Sequence, residues 1–228
     1  MGDIVTFRPS SLTTLETDYP ESDGKPMGET EFHINVILHL FQSLRYFFRQ
    51  IEDVYVAADL LFYYEEGNRS AFKVPDVFVV KGVSKQPRRT YKLWEEGVAP
   101  CTVFEITSRA TWLDDLGEKR ALYEKLGVPE YFLFDPLDEY LSPRLQGFRL
   151  KNNYYQPVDL AENGTLFSQE LGVTLHPQDQ LLRIVNADSG ETVPTLDEAA
   201  KRAEAAEARL AQLEAELRKL RGQPDEES

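Results

Sequence analysis

The 228-residue sequence contains a single cysteine, Cys101, so no disulfide can form within one chain. Because this cysteine lies in an apolar run, it indicates a small core residue in a reducing compartment, and we expect a cytoplasmic protein. No apolar stretch reaches the roughly 20 residues needed to cross a bilayer, and the N-terminus lacks the apolar segment of a signal peptide. We therefore expect a soluble protein without a membrane partner.

The sequence also lacks an excess of basic residues. It has 25 Lys and Arg against 39 Asp and Glu, a formal net charge of −14, which argues against passive binding to a polyanion. Residues 81–92 are an acid-free exception. They are a candidate phosphate-contacting segment, although a plain solvated loop is an equally good interpretation. The predicted nucleic-acid-binding residues are Lys81, Lys85, Arg88, Arg89 and Lys92.

Several common catalytic patterns are absent. One cysteine and three scattered histidines do not form a zinc-binding set, and His33 lies on the apolar face of a predicted helix, which favours a core histidine. The sequence has no glycine-rich phosphate loop and no nucleophile-elbow motif. These absences argue against zinc enzymes, nucleoside triphosphatases and serine hydrolases.

The hydrophobic pattern predicts one mixed domain between two polar ends. Residues 1–28 are rich in Ser, Thr, Pro and Gly and are predicted to form an N-terminal arm. Apolar residues at helical spacing follow, then strand-like runs, a helix ending near Gly127, another buried strand and several short strands. We therefore predict an α/β fold, more exactly described as an α+β mixed sheet, over residues 29–190.

The C-terminal region has the pattern of a coiled coil. With Leu196, Ala203, Leu210 and Leu217 at heptad position a, positions d are also apolar throughout residues 195–221. In a parallel pair, the g and e′ residues would have opposite charges in all three cases, which favours a homodimer. An amphipathic helix packed on its own domain is the alternative. Residues 222–228 are predicted to be an acidic tail.

Two carboxylates stand out in the predicted strands. Asp76 precedes the apolar run VFVV, and Glu105 lies 29 residues later inside the run VFEIT. A carboxylate in such a run is costly to bury unless it is paired or binds a metal. Metal-dependent phosphodiester hydrolysis needs two carboxylates on a rigid frame and a cation near the attacking water.

The next predicted helix provides such a cation. Asp115, Lys119 and Tyr123 are spaced at i, i+4 and i+8 and share one helix face, so Lys119 can point back toward Glu105. A purely structural interpretation also stands, in which Asp76 caps a turn and Glu105 pairs with a buried base such as Arg109 or Lys119.

Three blocks in order carry a resemblance to a known family. VPDVFVV, then VFEITS, then DLGEKRALYEKLGVPEYFLFDP resemble the Uma-two family of restriction-endonuclease-like proteins, which have the PD-(D/E)xK fold. The resemblance covers roughly residues 29–185. The segment GETEFHINVIL also resembles the first helix of members that carry a C-terminal heptad tail.

The resemblance implies that Asp76 and Glu105 bind Mg²⁺ or Mn²⁺ and that Glu31 on the first helix approaches the same site. It implies hydrolysis of DNA phosphodiester bonds. One position departs from the motif, because Thr107 stands where the motif has lysine, and threonine cannot replace an ammonium. Lys119 is the expected substitute.

The sequence therefore favours a Mg²⁺-dependent endonuclease that acts on DNA. A catalytically weak or inactive nuclease-like module, working in binding or assembly through its coiled coil, is the alternative. A metal-dependent hydrolase of RNA or nucleotides is a third interpretation.

Overall fold

The computed structural model describes residues 19–22 and 30–221. The predicted N-terminal arm lies outside the described residues except at 19–22, and the predicted acidic tail lies outside them entirely. No helix of the described part is long and apolar enough to cross a membrane. The helices are α1 (Glu31–Phe47), α2 (Leu93–Glu96), α3 (Trp112–Asp114), α4 (Arg120–Lys125) and α5 (Leu196–Leu220).

The strands form one large sheet and two small ones. The large sheet has the order β1-β4-β6-β7-β8-β9, and only the β6–β7 pair is parallel. The small sheets have the orders β10-β11-β12 and β3-β2-β5. The strands are β1 (Val54–Ala58), β2 (Phe62–Tyr63), β3 (Phe72–Lys73), β4 (Val77–Lys81), β5 (Tyr91–Lys92), β6 (Thr102–Ile106), β7 (Glu130–Phe134), β8 (Leu145–Lys151), β9 (Tyr154–Pro157), β10 (Leu166–Ser168), β11 (Val173–Gln178) and β12 (Leu181–Asn186).

Two of the predicted strands are broken in the structure. The run from Val54 to Tyr64 divides into β1 and β2, and the run from Phe72 to Val80 divides into β3 and β4. Pro75 has no backbone N–H to donate, and Asp59 adopts a positive φ of 49°, so neither ladder continues. β1 and β4 pair in the large sheet, whereas β2 and β3 pair in a small one. The break places Asp76 at the head of β4.

The large sheet has a hydrophobic core on each face. On one face, α1 packs its Val36, Leu40 and Leu44 against β1, β4 and β6 and against β12. On the other face, aromatic side chains dominate, including Tyr91, Tyr123 and Tyr131. Thr30 is the N-cap of α1, and its side chain accepts a hydrogen bond from the His33 backbone N–H.

The helix that follows β6 is not a regular α-helix. Between α3 and α4, residues Asp115–Lys119 form a π-helical turn. Such wide turns are rare and occur frequently at functional sites. The polypeptide ends this helical region at Gly127, whose φ is +75°, as expected for a glycine beyond a helix C-terminus.

α5 is a helix as predicted, and only its first turn contacts the domain. A capping box formed by Thr195 and Glu198 begins the helix, and Arg183 pairs with Glu198 at 2.8 Å. None of the residues of α5 is buried. The exposed leucines are Leu196, Leu210, Leu213, Leu217 and Leu220. The structure therefore gives no support to the alternative of a helix packed in cis, and the coiled coil stays a prediction.

Candidate active site

Asp76 and Glu105 meet at neighbouring strands of the large sheet. β4 pairs with β6, with Val77 opposite Phe104, so the residues next to this pair are close. The Ile106 N–H donates to Asp76 Oδ2 at 2.6 Å, and the Asp76 N–H donates to Glu105 Oε2 at 3.3 Å. Each carboxylate is thus held by the backbone of the strand that bears the other.

Glu105 is completely buried, and both oxygens of its carboxylate accept hydrogen bonds. Its Oε2 accepts from Lys119 Nζ at 2.7 Å and its Oε1 from the Tyr123 hydroxyl at 3.0 Å. Burial raises the pKa of Glu105 well above its ordinary value, and Lys119 opposes that rise. The hydroxyl of Tyr123 is itself buried, and its pKa is raised by burial and by the Glu105 charge.

Lys119 lies between two buried carboxylates. Its Nζ is 2.7 Å from Glu105 and 2.9 Å from Asp115 Oδ1, and both carboxylates are 0% exposed. Burial disfavours the ammonium form, but the charges of Glu105 and Asp115 outweigh burial, so the pKa of Lys119 is raised and it stays protonated. The π-helical turn holds Asp115 and Lys119 at its two ends, and the Tyr131 hydroxyl donates to Asp115 O at 2.9 Å.

The first helix contributes His33 to this site. His33 is 4% exposed, and its Nε2 lies 3.7 Å from Asp76 Oδ1. Glu31 is exposed on the first turn of α1. Two residues correspond to about 200° around an α-helix, so Glu31 and His33 point in nearly opposite directions. The role of Glu31 stays a prediction. Sequence reasoning missed His33, because its place on the apolar face indicated only a core residue.

The site contains more carboxyl groups than ammonium groups. Asp76, Glu105 and Asp115 all act on the Lys119 ammonium, and burial raises the pKa of both Glu105 and Asp115. In the described part of the chain, no three or more Asp, Glu, His or Cys side chains are grouped to hold a metal by themselves. A divalent cation held by Asp76 and Glu105 would therefore take its other ligands from water or substrate.

The five bases of the loop after β4 have partners inside the protein. Lys81 pairs with Glu170, Arg88 with Glu96, Arg89 with Glu21 and Lys92 with Glu95. Lys85 donates to the carbonyls of Phe48 and Arg49 at the end of α1. These bases lie along the loop rather than at the Asp76–Glu105 pair, and nucleic-acid binding by them stays a prediction.

Thr107, at the motif's lysine position, is buried at 3% exposure, and its Oγ1 has no hydrogen-bond partner among the described residues. No cation comes from that strand position. The ammonium next to Glu105 comes instead from the following helix, where the sequence predicted it.

Comparison with protein-family models shows which family the chain belongs to. Residues 16–181 match the Uma2 (Uma-two) family, described as "Putative restriction endonuclease". The chain belongs to the Uma2 family. The matched region contains the whole Asp76–Glu105–Lys119 cluster and ends before α5.

Other comparisons add little to this assignment. No curated protein matches the chain. Among solved structures, one match is to a "putative nuclease belonging to DUF820" from Anabaena variabilis ATCC 29413, at 14% identity and a TM-score of 0.46, over 63% of this chain and 75% of that one. The Uma2 match thus assigns the chain to restriction-endonuclease-like proteins, a class that generally uses divalent metals.

Proposed function

We propose that this Uma2 protein is a Mg²⁺- or Mn²⁺-dependent endonuclease that hydrolyses DNA phosphodiester bonds. The observation that carries the proposal is the convergence of Asp76, Glu105 and Lys119, which come from two strands and a helix. Two carboxylates and one ammonium on rigid elements are what metal-assisted phosphodiester hydrolysis requires.

In this proposal, Asp76 and Glu105 hold the divalent metal. The metal would act as a Lewis acid on the phosphate and lower the pKa of a bound water. Asp76 is the more accessible of the two, with a side chain 19% exposed. Glu105 works from inside the protein, held by Tyr123 and Lys119.

Lys119 orients the attacking water and offsets negative charge that develops on the phosphate. A fixed charge in a buried site stabilises such a transition state more strongly than the same charge in water. Asp115 keeps the ammonium in place from the other side at 2.9 Å. Glu31 is proposed to approach the same centre, and the basic residues Lys81, Lys85, Arg88, Arg89 and Lys92 are proposed to contact substrate phosphates beside it.

The exposed apolar seam of α5 supports a homodimer through a parallel coiled coil. Two copies would bury the leucines that one copy leaves in water, and a dimer could present two active sites to two DNA strands.

A nuclease assay with matched variants tests the proposal. Wild-type protein should cut plasmid DNA in Mg²⁺ or Mn²⁺ and not in EDTA, whereas Asp76→Asn and Glu105→Gln should not cut. Asp114→Asn is the control, since Asp114 is next to Asp115 but pairs with Lys73 at 3.1 Å at the surface. Equal cutting by all four proteins would refute the site. Cutting of RNA alone would keep the chemistry and change the substrate.

The complete burial of Glu105 favours a second candidate, an inactive nuclease-like module that works through α5. A carboxylate whose two oxygens already accept protein hydrogen bonds can be a structural ion pair. This candidate predicts no Mg²⁺ or Mn²⁺ binding by calorimetry at millimolar cation. Metal binding that disappears in Asp76→Asn would exclude it.

A further inference from the structure

A cavity of about 460 Å³ opens beside β1, between the end of α1 and the loop after β4. β1 is at the edge of the large sheet, and among the residues that the structure describes no strand pairs with its outer side. The volume lies within the range of about 300–1,000 Å³ that ligand sites usually have. Its apolar wall is formed by the side chains of Phe41, Phe48, Val54, Tyr55, Val56, Ala57, Ala58, Leu60 and Pro87.

Positive charge is concentrated in this cavity. Arg45 lines it from α1, Arg49 from just beyond the helix end, and Lys85 and Arg88 from the loop, and no acidic residue of the described part of the chain lines it. This is unexpected in a chain whose formal net charge is −14. A concave, partly apolar site lined by one sign of charge concentrates ligands of the opposite charge.

Most of this charge is not balanced locally. Arg88 pairs with Glu96. Within residues 19–22 and 30–221, the other three bases have no carboxylate at ion-pair distance. Arg45 lies over the Phe41 ring at 5.2 Å, and Arg49 lies over the Tyr46 ring at 4.0 Å. Arg49 Nη1 also donates to the Tyr46 carbonyl at 2.8 Å, but a guanidinium has five N–H donors, so both arginines keep donors available for an anion.

The cavity lies on a path to the candidate active site. β1 leads from Val54 to Ala58, and the next residue, Asp59, donates its N–H to Asp76 O at 3.2 Å. α1 runs beside it, with His33 at Asp76. Arg45 is 12 residues further along the helix, about 18 Å at 1.5 Å per residue, and Arg49 lies beyond the helix end at Phe47. At 3.4 Å per nucleotide, 18 Å corresponds to roughly five nucleotides of a duplex strand.

We propose that this cavity is a nucleic-acid subsite, in which Arg45, Arg49 and Lys85 bind backbone phosphates several nucleotides from the scissile bond. Arginine is suited to this task because its planar fork donates two parallel hydrogen bonds to a phosphate. The identity of the anion rests on the proposed nuclease function. The subsite strengthens binding of the DNA strand and takes no part in the chemistry at Asp76 and Glu105.

Salt dependence of DNA binding tests the subsite directly. The full chain in Ca²⁺ or EDTA is titrated with a fluorescent 20-base-pair DNA at several salt concentrations. Each lost phosphate contact lowers the slope of log affinity against log salt by about 0.9. Arg45→Ala/Arg49→Ala should therefore lower the slope by about 1.8 and weaken binding by at least about tenfold at low salt.

Two further variants separate local from general effects. Arg218→Ala/Lys219→Ala removes the same charge from the outer face of α5, away from the heptad seam, and should keep the wild-type slope. Arg45→Lys/Arg49→Lys retains both charges and should keep most of the slope. A protein in which α1 had merely unfolded would not keep it. Where the enzyme cleaves, the alanine pair should raise KM and leave kcat unchanged, because the contact is made equally before and during reaction.

The outcomes distinguish this proposal from the nuclease assignment. Equal slopes for the two alanine pairs, or no DNA binding at all, would overturn the subsite, even if the protein cuts DNA. A slope that falls only in Arg45→Ala/Arg49→Ala, in a protein that cuts nothing, would support the subsite and refute the nuclease.

Discussion

Replacing Lys119 by methionine should destabilise the protein strongly. The substitution keeps most of the apolar stem but removes the one ammonium of the described chain that contacts Glu105 and Asp115, both 0% exposed. Removing one partner of a buried ion pair typically costs about 3–5 kcal/mol, because the other charge stays buried without compensation. This is a large part of the roughly 5–15 kcal/mol that stabilises an ordinary domain.

Glu105→Gln should cost less. Lys119 would retain Asp115 at 2.9 Å, and one of three carboxylates around a single ammonium would be removed. The glutamine oxygen can accept from Tyr123, but its NH2 then faces the Lys119 ammonium and the Asp76 N–H, which are both donors. We therefore expect the free energy of unfolding to fall by about 1–3 kcal/mol, less than in Lys119→Met. Both variants should lose nuclease activity.

Urea unfolding at pH 7.5 in EDTA measures both changes without a contribution from bound metal. The double variant Lys119→Met/Glu105→Gln should be less unstable than Lys119→Met alone, since one uncompensated charge is gone. A cost below about 1 kcal/mol for Lys119→Met, or a larger cost for Glu105→Gln than for Lys119→Met, would refute the account of an excess negative charge held by one lysine.

Three further predictions concern the rest of the protein. Truncation after residue 194 should abolish dimers in analytical ultracentrifugation. The thermal midpoint of the domain should stay nearly unchanged, because α5 has no buried residue. A truncated chain that stays dimeric would contradict this prediction. Gly147→Ala should lower the free energy of unfolding in urea by about 1–3 kcal/mol, since a Cβ there would lie 2.8 Å from Leu166 Cδ1 and 2.9 Å from Phe132 Cδ1. An unchanged urea midpoint would show that these side chains move aside freely. Burial, followed by the charge of Arg183, lowers the pKa of His39 to about 4. As the pH falls below about 6.5 the unfolded chain takes up this proton first, so stability should drop by about 1–2 kcal/mol between pH 7 and 5. His39→Gln should flatten this part of the pH profile, and an equal drop in that variant would exclude His39 as the cause.

Much of the fold could be predicted from the sequence, because its signals are local. The apolar spacing of α1 and the Thr30 cap depend on residues one to four positions apart, and so does the capping box that starts α5. The breaks between β1 and β2 and between β3 and β4 were not predicted. Composition alone favoured continuous strands, and the breaks depend on which strand each segment pairs with.

The candidate site was predictable in its members but not in its arrangement. Glu105 stood out because a carboxylate in an apolar run needs a partner, and the helical face of Asp115, Lys119 and Tyr123 indicated which side chains could supply one. That His33 lies 3.7 Å from Asp76 depends on how α1 crosses the sheet, and nothing near either residue in the sequence indicates this contact.

The sequence by itself determined α1, the helical region that ends at Gly127, the buried strands β6 and β7 and the amphipathic C-terminal helix, because these follow from periodicity and capping within a few residues. Only the tertiary structure decided which charged side chains form ion pairs. Lys81 finds Glu170 at a separation of 89 residues, and Arg45 and Arg49 remain without a carboxylate partner in the described part of the chain. Electrostatic pairing depends on distances in space, which the folded chain sets through contacts between remote segments.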